Sequence, residues 1–188
     1  MTIDHNMKKT LLLFCTLIAI LVFSCKGDET PEPVPQPKYA DLDIVTGLDL
    51  YDDNGNPMGR WKSPNHNPGA VYTFPIPSAG TVSLHSQQQI VRVWLIPATC
   101  YNDSTTFDIP ALSQNLDFEI SELETAQIKD IPIPNFNNQI NLDFSDVAAG
   151  FYRLFYQLNN GELFWENVYI DPNATNIASF EFLDGLCD

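Results

Sequence analysis

From Leu42 onward, short apolar runs broken by turn residues recur about every ten residues, and no apolar repeat at helical spacing is sustained. This pattern predicts strands over Leu42–Tyr51, Met58–Lys62, Ala70–Phe74, Thr81–His85, Ile90–Ile96, Leu116–Ile120, Gln139–Phe144, Phe151–Leu158, Glu162–Ile170 and Ala178–Leu183. Only Ser121–Ala126 has helical character, with Ser121 and Glu124 at capping-box spacing. Many short strands with turn chemistry between them predict an all-β fold, an antiparallel β-sandwich.

Two hairpins are expected on local grounds. Asn54-Gly55 tolerates the positive φ angles of a type I′ turn, so the strands beside it should pair antiparallel. Asn160-Gly161 lies between two aromatic-rich runs, and a two-residue turn there sets Tyr156 opposite Trp165, Tyr152 opposite Tyr169 and Leu158 opposite Leu163 on a core face. The reverse face then carries Phe151, Phe155, Phe164, Val168 and Ile170, interrupted by Arg153, Gln157 and Glu166. A face so apolar is either covered by another segment of the same chain or is a surface for a protein partner. A three-residue loop would shift the register and exchange these pairs.

The run Ala148-Ala149-Gly150-Phe151-Tyr152 enters the second hairpin. It resembles the corner of immunoglobulin-like and fibronectin-type domains, where Gly and then Tyr open a strand and the Tyr hydroxyl bonds back to backbone. The resemblance implies an immunoglobulin-like sandwich in which Gly150 and Tyr152 take those parts.

The chain start has a different character. Lys8 and Lys9 precede an apolar run, Leu11 to Phe23, which at about 13 residues is short for a membrane span. Met7 reads as a more natural start than Met1. The run ends in Val22-Phe23-Ser24-Cys25, which resembles the lipobox of bacterial lipoproteins, with Val22, Ser24 and Cys25 matching and Phe23 larger than is usual there. The resemblance implies a signal peptide over 1–24, cleavage before Cys25, and diacylglycerol plus an acyl chain such as palmitate on the Cys25 thiol. Residues 25–38 alternate proline with polar residues and read as an extended tether of roughly 3 Å per residue. Cys25-Lys26-Gly27-Asp28-Glu29 is similar to the surface-export signal of Bacteroidota-type lipoproteins. That implies an outer-membrane protein facing outward, the alternative being a periplasm-facing one. Residues 39–188 form the expected sandwich domain.

Charge narrows the partners. Twenty-four acidic residues against nine basic give a net charge of −15, and no basic stripe exists to displace phosphate counterions, so nucleic acid is excluded as a partner. With Cys15 in the apolar run and Cys25 lipidated, Cys100 and Cys187 are left, either bridged or as two buried thiols. A bridge would close a loop of nearly 90 residues, worth about 4 to 5 kcal/mol by chain entropy.

Candidate chemistry is sparse. His66, in the loop Ser63–Pro68, and His85, at a strand end, are expected at the surface, and no nucleophile elbow or phosphate loop is present, so no catalytic residue is assigned. No cofactor is expected beyond the lipid, and no metal motif is found; Asp49, Asp52, Asp53 and Asn54 form a weak calcium candidate, with Pro57 where an EF-hand needs glycine. Trp61, between Arg60 and Lys62, is the residue expected to contact a glycan, and Ser104 in Asp103-Ser104-Thr105 matches a Bacteroidota O-glycosylation sequon. The sequence therefore reads as a non-enzymatic interaction or accessory subunit of a cell-envelope assembly. A surface glycan-binding module is the alternative, and a carboxylate-dependent hydrolase is the third reading.

Overall fold

The computed structural model describes residues 42–101, 118–174 and 180–187, all within the compact unit Lys38–Asp188. The fold is an all-β sandwich. Its larger sheet is built on β6 (Ile90–Cys100), which pairs antiparallel with β9 (Gly150–Leu158), and β9 pairs antiparallel with β10 (Leu163–Ile170). The other side of β6 takes β7 (Lys129–Pro132) and, near its end, the two-residue β1 (Ile44–Val45), which runs parallel to it. A second sheet has the order β4 (Val71–Phe74), β5 (Thr81–Ser86), β8 (Gln139–Asp143), and β2 (Gly47–Tyr51) forms a hairpin with β3 (Pro57–Lys62). Val82, Leu84 and Leu142 from the second sheet pack with Val93, Leu95, Leu154, Tyr156 and Val168 from the first to make the sandwich core.

The larger sheet is buried on its reverse face too. There Trp94, Ile96, Phe155 and Trp165 pack under Leu42, Phe118 and Leu123. Leu123 belongs to α1 (Ile120–Ala126), whose first backbone groups are tied by the Glu119 N–H donating to the Glu122 carboxylate at 2.9 Å. The cap therefore sits two residues before the expected Ser121. Phe118 and Ile120, expected in a strand, lead into and open this helix, while residues 116 and 117 lie outside the described residues. Phe118 meets Phe155 and Trp165 edge-on at 5.3 Å, a geometry favoured by the ring quadrupoles.

Turn chemistry corrects the expected register. The β9–β10 loop has three residues, Asn159, Asn160 and Gly161, closed by the Leu158 N–H donating to the Glu162 carbonyl at 2.9 Å, with Gly161 at φ 90°. Phe164 thus faces Tyr156, Trp165 faces Phe155, and Tyr169 faces Phe151. The one-residue slip splits the expected partner face in two. Phe155 packs in the reverse-face cluster, whereas Phe151, at the strand's start, packs in the main core cluster to which Phe164, Val168 and Ile170 also contribute. In the β2–β3 turn only Gly55 has positive φ, so the turn is not type I′; Asp52 instead accepts the Asn54 and Asn56 N–H groups. The strands beside it are antiparallel as expected.

At the corner before β9, the Tyr152 hydroxyl donates to the Ala148 carbonyl at 2.6 Å, as the Gly150–Tyr152 pattern led us to expect. The C-terminal segment departs from expectation. It is a helix, α2 (Phe180–Asp184), where the strand Ala178–Leu183 was expected, with residues 178 and 179 outside the described residues; Leu183 enters the core and Cys187 is bonded to Cys100. Replacing both Cys100 and Cys187 by serine should lower stability by about 3 to 5 kcal/mol, read as a fall in the urea midpoint with the slope checked separately. An unchanged midpoint would mean the staple contributes nothing.

Candidate functional site

A cluster of polar side chains lies where β2, β3, β10 and the loop 63–68 meet. Asp49 and Arg60 are cross-strand partners in the β2–β3 hairpin, and the Arg60 Nε donates to Asp49 at 2.7 Å. The following loop runs along the outer side of β10, because Asn67 and Trp165 exchange two backbone hydrogen bonds of 2.9 Å. This places the His66 ring between two carboxylates. Its Nδ1 is 2.8 Å from Glu166 Oε1 and its Nε2 is 3.2 Å from Asp49 Oδ2. An alternating series, Arg60, Asp49, His66, Glu166, thus leads from the surface to a carboxylate that is only 2% exposed.

Asn65 fixes the loop from the reverse side. Its Oδ1 accepts from the Thr46 N–H at 3.0 Å and from Asn167 Nδ2 at 2.8 Å, and its own Nδ2 donates to the Ile44 carbonyl at 2.8 Å. The Asn65 carbonyl accepts from Arg153 Nη2 at 2.9 Å and Trp165 Nε1 at 3.0 Å. Arg153 is fully buried, and its guanidinium lies 5.5 Å from the Trp165 ring centre. Gly47 lets the hairpin approach, since a Cβ there would stand 2.6 Å from the Trp61 carbonyl oxygen.

Burial raises the pKa of Glu166 even though the His66 hydrogen bond and charge act against it. Burial also opposes charge on His66, but the hydrogen bond to Glu166 and the negative charges of Glu166 and Asp49 outweigh it, and its pKa is raised as well. Through these two contacts the His66 ring joins Asp49 of β2 to Glu166 of β10.

The remaining sequence-derived sites fall elsewhere. Trp61 is 3% exposed, stacks on Phe151 at 5.8 Å and donates through Nε1 to Asp184 at 2.7 Å, so it is not a surface platform for a sugar. Of the expected partner face, Phe151, Phe155, Val168 and Ile170 are buried and Phe164 is half-buried, all covered by this chain itself. The calcium set is dispersed. Asp49 is bound to Arg60 and His66, and Asp52 is held below the usual carboxylate range by the Asn56 side chain first, then by the backbone N–H groups of Asn56 and Asn54. No group of three or more His, Cys, Asp or Glu side chains suited to a metal occurs among the described residues. His85 is exposed as expected, beside a depression of about 340 Å³ that Tyr72 and Gln87 also line. A larger groove of about 610 Å³ runs between α1 and the end of β6, lined by Leu42, Ile96, Pro97, Glu122 and Thr125. Cys25 and Ser104 lie outside the described residues.

The His66 cluster was not anticipated. Its signal was in β10, where a carboxylate amid Phe164, Trp165, Val168 and Ile170 requires a buried partner. No protein-family model matches the chain, and no curated protein or solved structure is matched by it.

The raised values of His66 and Glu166 mean that the folded state holds protons the unfolded chain has released. Their contribution to stability is complete at low pH, begins to fall above the ordinary carboxyl range, and is lost as pH rises through the raised His66 value. The urea midpoint should therefore be higher near about pH 5.5 than near about pH 8, and Glu166→Gln should flatten that difference. His66→Ala, which strands the buried carboxylate, should cost about 3 kcal/mol near neutral pH. A pH-independent midpoint in the native chain would contradict the linkage.

Proposed function

We propose that this chain is a non-enzymatic lipoprotein of the outer membrane, held by acyl groups on the Cys25 thiol, whose sandwich serves as an interaction or accessory subunit of an envelope assembly. The observation that carries the reading is the Cys100–Cys187 bridge. Disulfides persist in oxidising compartments, which fits export, and with these two thiols joined Cys25 is left as the unpaired thiol beyond the apolar run. The Val22-Phe23-Ser24-Cys25 sequence supplies the lipidation signal, and Lys26-Gly27-Asp28-Glu29 supports outward display over a periplasm-facing orientation. The glycan-binding alternative loses the support it drew from Trp61, which is buried.

Two measurements test this reading. Cells expressing the native chain should incorporate radioactive palmitate into it, whereas Cys25→Ser should take up no label and leave the membrane fraction. Pull-down of the tagged native chain from solubilised outer membranes should return a stoichiometric protein partner, and recovery of none would remove the subunit assignment.

A further inference from the structure

The larger sheet is covered on both faces, but the second sheet turns one face to solvent. Alternation along its strands points Val82, Leu84 and Leu142 inward, where they are buried, and Thr81, His85, Gln139 and Asn141 outward, where they are exposed. Tyr72, His85 and Gln139 stand opposite one another in a row across β4, β5 and β8. Tyr72 is 67% exposed, the most exposed large apolar side chain among the described residues. Phe74, on the same face of β4, is shielded instead, since a Cβ on Gly55 in the β2–β3 turn would lie 3.2 Å from its ring. Beside Tyr72, β5 runs into the turn 86–88. The Ser86 N–H donates to the Asn138 carbonyl at 3.0 Å, and the Gln88 N–H donates to Ser86 Oγ at 3.0 Å, which fixes this turn. Tyr72, His85, Gln87 and Gln88, with Ala70 and Ser86, line the depression of about 340 Å³. No hydrogen bond joins the side chains of Tyr72, His85, Gln87 or Gln88 to another described residue.

We infer that this depression binds a neutral hexose unit of gluco configuration, stacked on the Tyr72 ring and hydrogen-bonded by Gln87, Gln88 and His85. A gluco ring carries its hydroxyls equatorially, so its flat faces present C–H bonds, which suit the negative face of an aromatic ring. Its rim is hydroxyl. The lining divides in the same way, with one exposed ring for the apolar contact and two uncharged amides that each offer donors and an acceptor. Charge selects the class of sugar. No Asp, Glu, Lys or Arg occurs among the described lining residues, so neither an acidic sugar nor a cation that would bridge to one finds a partner there, and the net charge of −15 repels acidic sugars from the whole chain. The surroundings favour a small ligand over a protein. A specific protein interface buries about 1,000 Å² or more around an apolar centre, whereas Tyr72 is followed across the sheet by His85 and Gln139. The volume lies near the low end of ligand sites, about 300 to 1,000 Å³, which suits one ring with the rest of a saccharide continuing outside. The inference goes beyond the subunit reading and depends neither on it nor on the lipid anchor.

The test uses the full chain in lauryldimethylamine oxide, a detergent without a sugar head, and takes cellohexaose and maltohexaose as probes, which share the gluco ring and differ in linkage. Magnetisation transferred from the protein should reach the ring C–H protons of at least one probe at millimolar concentration, as a shallow site for one ring implies. Tyr72→Ala should weaken that binding by about tenfold or more through loss of the stacking face. It should keep the native urea midpoint, because the side chain is exposed. Tyr72→Phe retains the ring and should bind nearly as well as the native chain, while Gln87→Ala should weaken binding by about threefold to tenfold, the worth of a hydrogen bond. No transfer to either hexaose, or binding that Tyr72→Ala leaves intact, overturns the proposal. Loss of a co-purifying protein from Tyr72→Ala, with no sugar bound by the native chain, overturns it too and assigns the face to that protein. Sugar binding is read without any partner present, so it fails or holds separately from the subunit reading.

Discussion

β6 and β9 are buried on both faces, and one chain has to supply both covers. An antiparallel sandwich ordinarily covers one face of each sheet and leaves the other wet, so its strands alternate apolar and polar residues. Here the run from Phe151 to Tyr156 is buried without interruption. The second sheet covers one side. Leu42, Phe118 and α1 cover the other, and α2 closes the end near Trp61 and Phe151. Loops that would be peripheral in a simpler sandwich thereby become part of the core.

Double burial also explains the polar residues in these strands. Arg153, Glu166 and Asn167 are each less than 3% exposed, and a buried polar group without a partner costs free energy. The loop 63–68 supplies the partners, Asn65 on the reverse face and His66 on the other, while its backbone pairs with Trp165. Three interactions of different kinds thus act on six residues. Because polar bonds are directional where apolar contacts are not, this loop fixes how the β2–β3 hairpin sits against β10.

Most strands were legible because their period is local. β3, β4, β5, β8, β9 and β10 lie within a residue of their expected bounds, and β6 extends four residues further than expected, to Cys100. Registry was less legible, because Asn160-Gly161 suits both a two-residue turn and the end of a three-residue loop, and choosing between them depends on which side chains the rest of the chain covers. The alternation Phe180-Glu181-Phe182 reads as a strand although the segment is a short helix, because so short an apolar run does not separate the two periods. His66 was hidden by its neighbours, since prolines at 64 and 68 mark a loop, and sequence alone does not show what a loop lies against. Of the candidate site residues, Cys100 and Cys187 were legible only as bridged or as two buried thiols, and the structure shows the bridge, whereas Trp61 and the Phe151 face depended on packing between segments distant in sequence.

The junction at the end of β6 has a mechanical meaning. β1 joins the fold beside Thr99 and Cys100, with the Thr99 N–H donating to Asp43 and the Tyr101 N–H donating to Val45, and Cys187 is bonded at the same place. Both ends of the described chain therefore converge on one strand terminus. Tension arriving along the backbone from the N-terminal side enters the molecule at its most extensively paired strand, next to a covalent bond. A pull from that direction is shared with the centre of the larger sheet before it can peel away an outer hairpin.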